Sequence, residues 1–184
     1  MILDKAECLE WGFGNLLDNA TRGVVAEYIV AKALGMAFGY RMEWDFADIR
    51  FRDCHIEVKS SAYVQSWQQV KPSVIQFDIA PRSNKWDAET NITIRSDPPK
   101  RHADVYIFCV FTEHDKSLAN PLDTNQWAFY VTKTDTLDGR LGAQKSAALT
   151  TIQKLSASIT YDELKNVVEH AISTMVPANN PQSP

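Results

Sequence analysis

The chain has 184 residues, 45% of them hydrophobic and 23% charged, an ordinary composition for a globular protein. Its net charge of −4 excludes an overall basic balance of the kind that coats nucleic acid. Three cysteines, Cys8, Cys54 and Cys109, are odd in number and far apart with no CxxC spacing, so neither a disulfide framework nor a zinc site is expected. The start, MILDKAECLEWG, lacks the basic opening and apolar run of a signal peptide. The longest apolar stretch, 24–40, is broken by Glu27 and Lys32, so no membrane span is expected. Together these features predict a reducing, cytoplasmic setting.

Residues 21–35 predict a helix, with Thr21 as its cap and Gly35 as its terminator. It is apolar almost all round, so it should be buried. Strand candidates follow at 37–44, 46–51, 54–60 and 73–80. Residues 81–102 read as a long polar connection, with Pro81, Pro98 and Pro99 as breakers. The continuous apolar run 104–111 predicts a strand covered on both faces, and 126–133 another strand. An amphipathic helix is expected over 160–175, capped by Thr160 with Glu163 three residues on. This order implies an α/β or α+β architecture. A single domain over 1–176 is expected, with 177–184, rich in Pro, Asn and Ser, a disordered tail.

Charge is unevenly spread. Residues 50–101 hold nine basic and six acidic side chains, the only net-positive part of the chain. Within it lies HIEVKSS, 55–61. Ile56 and Val58 supply one apolar face of a strand, which puts His55, Glu57, Lys59 and Ser61 on the other. If Arg52 and Asp53 form a two-residue turn, opposed residues have numbers summing to 105, and Asp48 faces Glu57. Two like charges so placed repel. The arrangement makes chemical sense around a divalent cation, which favours carboxylate oxygens. A one-residue slip would turn Asp48 away, and Asp45 is the rival aspartate. Glu27 is a further acid, set in the apolar helix among Gly23, Val24, Val30 and Ala31. Two readings stay open for it: a functional carboxylate, or a side chain that reaches solvent at the helix edge.

A helix carboxylate, then a hairpin with Asp on one arm and E-x-K on the other, resembles the PD-(D/E)XK, or restriction-endonuclease-like, nuclease superfamily. The segments carrying the likeness are RGVVAEYIVAKALG, ADIRF and HIEVKSSA, within the first eighty residues. RGVVAEYIVAKALG is similar to the leading helix of Holliday-junction resolvases, and IEVKSSAYVQSWQQ to small bacterial members. Ala47, not Pro, precedes Asp48, as in the many members that lack that Pro. The resemblance implies a mixed sheet flanked by helices. It also implies that Asp48, Glu57 and the Val58 carbonyl bind Mg²⁺ (Mn²⁺ able to substitute), with Glu27 close by. Lys59 would orient the attacking water. The implied activity is metal-dependent hydrolysis of DNA, by a monomer or a homodimer. The alternative is a catalytically inactive module of the same fold that binds nucleic acid or protein.

Candidate nucleic-acid contacts are Arg50, Arg52, Gln68 and Arg82, with Lys85, Lys100, Arg101, Gln65 and Gln69 beside them. Tyr63 and Trp67, four apart, read more readily as core than as a base-stacking platform. His55 is expected at the surface.

Overall fold

The computed structural model describes residues 2–41 and 45–175. In chain order its elements are α1 (Lys5–Phe13), α2 (Asn19–Leu34), β1 (Ile49–Phe51), β2 (Cys54–Ala62), β3 (Gln76–Asp78), β4 (Arg82–Asp87) and β5 (Ile92–Lys100). There follow β6 (Val105–Phe111), β7 (Trp127–Lys133), α3 (Thr134–Leu141), β8 (Ser146–Ala148), α4 (Leu149–Ile152) and α5 (Leu164–Ser173). The fold is α/β.

A four-stranded mixed sheet in the order β1-β2-β6-β7 forms its centre. β2 and β6 are parallel, while β1–β2 and β6–β7 are antiparallel. All seven residues of β6 are buried, as its continuous apolar run predicts. Its side chains alternate between two cores. Val105, Ile107, Cys109 and Phe111 join Ile56 and Val58 against α2 and α5. Tyr106, Phe108 and Val110 join Phe77, Ile79, Leu137 and Ile152 on the other face. Two small ribbons, β3–β8 and β4–β5, complete the structure.

Several expectations are corrected. α2 is capped by Asp18, whose carboxylate accepts from the Ala20 and Thr21 N–H groups, rather than by Thr21. Gly35 does terminate it, at φ +74°, where only the absence of a Cβ makes the conformation easy. α2 is not buried all round, since Val24 and Tyr28 are exposed. Residues 37–41 form no strand, and 42–44 lie outside the described residues, as does the expected tail 177–184. The 46–51 strand begins only at Ile49, and 73–80 shortens to Gln76–Asp78.

The largest correction is the polar connection 81–102, most of which is the β4–β5 ribbon. Proline ends a central strand but is tolerated where no neighbour needs its N–H, and both strands of an isolated ribbon are edges. At the C-terminal helix, Glu163 accepts from the Thr160 N–H at 2.8 Å as expected. Regular α5 nevertheless starts only at Leu164.

Candidate active site

The β1–β2 turn is the two-residue Arg52–Asp53 turn, with Arg52 at φ +55°. Ile49↔Ile56, Arg50↔His55 and Phe51↔Cys54 all sum to 105. Beyond Ile49 the ladder slips. The Asp48 N–H donates at 3.0 Å to the carbonyl of Ile56, the residue that Ile49 already opposes, where the regular register would set Asp48 opposite Glu57. The Asp48 carboxylate in turn accepts the Val58 main-chain N–H at 2.7 Å. Asp48 is thus fixed against the middle of β2 by its own side chain.

Its surroundings are hostile to charge. Burial, then the charges of Glu57 and Glu27, push the Asp48 carboxyl up to about 7, against the opposing pull of the Val58 N–H and Lys59. Glu57 is ion-paired with Lys59. Burial works to lower the Lys59 ammonium, but Glu57, then Asp48 and Asp78, outweigh it and hold it above its ordinary value. Glu27 is largely covered and paired with Arg41, whose Nη2 donates to Oε1 at 2.8 Å. So α2, β1 and β2 converge three carboxylates and one ammonium within electrostatic reach of one another.

Two cavities open on this group. One, of about 230 Å³, is lined by Glu57 and Lys59 with Asp78, Tyr106 and the ribbon residues Arg82 and Lys100. The other, of about 320 Å³, is lined by Glu27 and Asp48 with Tyr28, Phe38 and Arg41. Asp78 and Tyr106 were not singled out in the sequence. Tyr106 stands directly beside Glu57 in the β2–β6 pairing. Burial, then the Glu57 charge, raise its phenol well above the ordinary range. Asp78 is the one acid in SVIQFDIA, and its polar position between Phe77 and Ile79 was the available signal.

Among the described residues, no group of three His, Cys, Asp or Glu side chains is arranged to hold a metal ion alone. A cation here would rest on two carboxylates, a main-chain carbonyl and water. That suits Mg²⁺, which keeps several waters and takes one or two carboxylates. The repulsion that raises the Asp48 pKa is also what such a cation would relieve. The residues present therefore fit the ion.

The rival Asp45 also lines the cavity of Glu57 and Lys59, but its carboxylate is engaged by other partners. Arg50 Nε and Nη2 donate to it at 3.0 and 3.1 Å, and it accepts from the Ala88 N–H at 3.2 Å. Arg50 also pairs with Asp87 and Glu89. It anchors the ribbon and is saturated with carboxylates, so it is not available to phosphate. Arg52 pairs with Glu169 in α5 at 2.6 Å and does not line the ribbon cavity. Arg101 is 5% exposed and donates to the carbonyls of Ile79, Gly142 and Gln144, which makes it a structural bolt.

Gln65 and Gln69 hold the loop after β2. Gln65 is buried and bonded to Arg22 and Ser73, and Gln69 accepts from the Gln65 N–H at 2.7 Å. Gln68 is exposed. Tyr63 packs on the second core and stacks on His114 at 4.2 Å. Trp67 is 56% exposed rather than core. His55 is partly buried, its ring Nδ1 3.1 Å from Asp104. Of the nominated basic residues, Arg82, Lys85 and Lys100 remain at the cavity of Glu57 and Lys59. Among the described residues no helix is long and apolar enough to cross a membrane.

A family profile described as Bacteriophage T4 endonuclease IV matches residues 14–149. The matched span contains α2, the β1–β2 hairpin, the β4–β5 ribbon, β6 and β7. No curated protein and no solved structure is found to match the chain.

Proposed function

The chain belongs to the bacteriophage T4 endonuclease IV family, and on that premise we propose that it is a metal-dependent endonuclease cleaving DNA phosphodiester bonds. We read its β1–β2 hairpin as a PD-(D/E)XK site. The observation that carries the reading is the convergence of Asp48, Glu57 and Glu27 on one another beside Lys59, electrostatically costly in a protein with no use for it.

Asp48, Glu57 and the Val58 carbonyl would hold Mg²⁺ or Mn²⁺, which when bound polarises a phosphoryl oxygen and acidifies water. The remaining work falls to the chain's own groups. The Lys59 ammonium, an all-donor group, would orient the attacking water and offset negative charge on the phosphate. The Val58 N–H keeps the Asp48 carboxylate turned toward the site. Glu27, paired with Arg41, adds its carboxylate from the α2 side.

The test is incubation of the protein with plasmid, linear duplex and single-stranded DNA in Mn²⁺, Mg²⁺ or EDTA, beside Lys59→Ala. Strand cleavage in either cation, abolished by EDTA and by the substitution, is the expected result. Cleavage that persists in EDTA overturns the metal-dependent reading. Binding with no cleavage in any cation would leave the inactive module.

A further inference from the structure

The β4–β5 ribbon hydrogen-bonds to no other strand among the described residues, and eight of the nine residues of β5 are exposed. Nothing in the two hydrophobic cores requires it. Arg82 opposes Lys100 across it, and a register shift separates that pair from Asn84–Arg95, Lys85–Ile94 and Trp86–Thr93. Five ribbon residues, Arg82, Asn84, Lys85, Trp86 and Lys100, line the cavity that contains Glu57 and Lys59, so three ribbon cations and no ribbon carboxylate face it. Of the ribbon's acids, Asp87 and Glu89 are bound to Arg50 and anchor the ribbon, and Asp97 is exposed on β5 outside the cavity lining.

We propose that the cavity side of this ribbon is the substrate grip: phosphates flanking the scissile bond lie along Arg82, Lys85 and Lys100, with Trp86 against a sugar or base. This rests on the nuclease reading above and adds to it the element that binds the DNA backbone. The partner follows from charge. A row of cations leading away from a phosphodiester-cleaving pocket matches a polyanion with regularly spaced charges. The chain as a whole is net negative, so binding must come from a local surface. Arg82 also pairs with Asp78 at 2.5 Å, but both are more than half exposed, and such a pair is weak enough for a phosphate to displace. Trp86 is fixed by its Nε1–H donating to Asn91 at 3.2 Å, which pre-sets the ring at no further ordering cost.

The experiment compares affinity for a fluorescent DNA duplex and a single strand across a salt series in Ca²⁺. The proteins are wild type, Lys85→Ala/Lys100→Ala, and a control, Lys154→Ala/Lys165→Ala, that removes two exposed cations elsewhere. Each lost phosphate contact lowers the slope of log K against log salt by about 0.9, so the ribbon variant should lose about 1.8. That corresponds to about sixty-fold in affinity at 0.1 M salt. The control should keep the wild-type slope, and circular dichroism should show both variants folded. Trp86→Phe covers the case in which the double variant misfolds, with a smaller loss of affinity at unchanged slope expected. If wild type binds and cuts DNA while the ribbon variants keep its slope and affinity, the grip is refuted and the nuclease reading stands. A slope lost equally in the control also refutes it. If wild type neither binds nor cuts DNA, both readings fall.

Discussion

Replacing Asp48 by Asn should stabilise the metal-free protein at pH 8 and give no such gain at pH 4. The Asp48 carboxyl has a folded pKa of about 7, raised first by burial and then by Glu57 and Glu27. A raised carboxyl pKa favours folding below the unfolded value, about 3.9, and that contribution is lost as pH rises through the folded value. At about 1.4 kcal/mol for each tenfold change in proton affinity, the loss is on the order of 4 kcal/mol. Asn removes the charge, and its amide oxygen still accepts the Val58 N–H. Its new NH₂ group gives back about 1–3 kcal/mol if it finds no acceptor. A net gain of about 1–3 kcal/mol raises the melting temperature by roughly 2–12 °C for a chain of this size. Thermal melts of both proteins in EDTA from pH 4 to pH 8 measure it. A gap between the two that does not grow with pH, or an Asn variant less stable at pH 8, refutes the electrostatic coupling of Asp48 with Glu57 and Glu27. In saturating Mg²⁺ the wild type should gain about 2.7 kcal/mol at one hundred times Kd, and Asp48→Asn should lose most of that response.

Lys59→Ala should abolish DNA cleavage while calorimetry with Mn²⁺ still shows binding, because the carboxylates and not the ammonium are assigned to the cation. A variant cutting at the wild-type rate would remove Lys59 from the mechanism. Arg50→Ala should release the ribbon, since it strands Asp45, Asp87 and Glu89 without their shared cation. Limited proteolysis should then cut within 82–100 at least tenfold faster than in the wild type, with the melting temperature lowered by only a few degrees. Unchanged proteolysis would mean that the ribbon is held by other contacts.

What the sequence determined by itself was local. The apolar face of β2 and the double burial of β6 follow from alternation within a few residues, and the structure bears out the turn at Arg52–Asp53 that the sequence offered only as a condition. Alternation survives folding because successive strand side chains must point to opposite faces. Long-range partners leave no such period. Arg50, Arg52 and Arg101 read as free cations, yet each is matched by acceptors far away in the chain: Asp87 and Glu89, Glu169, and the carbonyls of Gly142 and Gln144. Spacing also could not show that the 81–102 stretch pairs with itself, because its prolines break only strands whose N–H groups a neighbour needs. Asp48 joins both cases. Its nearness to the middle of β2 was legible from the hairpin, though not its exact register. The one-residue slip that docks its carboxylate on the Val58 N–H, with Glu27 brought in on α2, was decided only when helix packed on sheet.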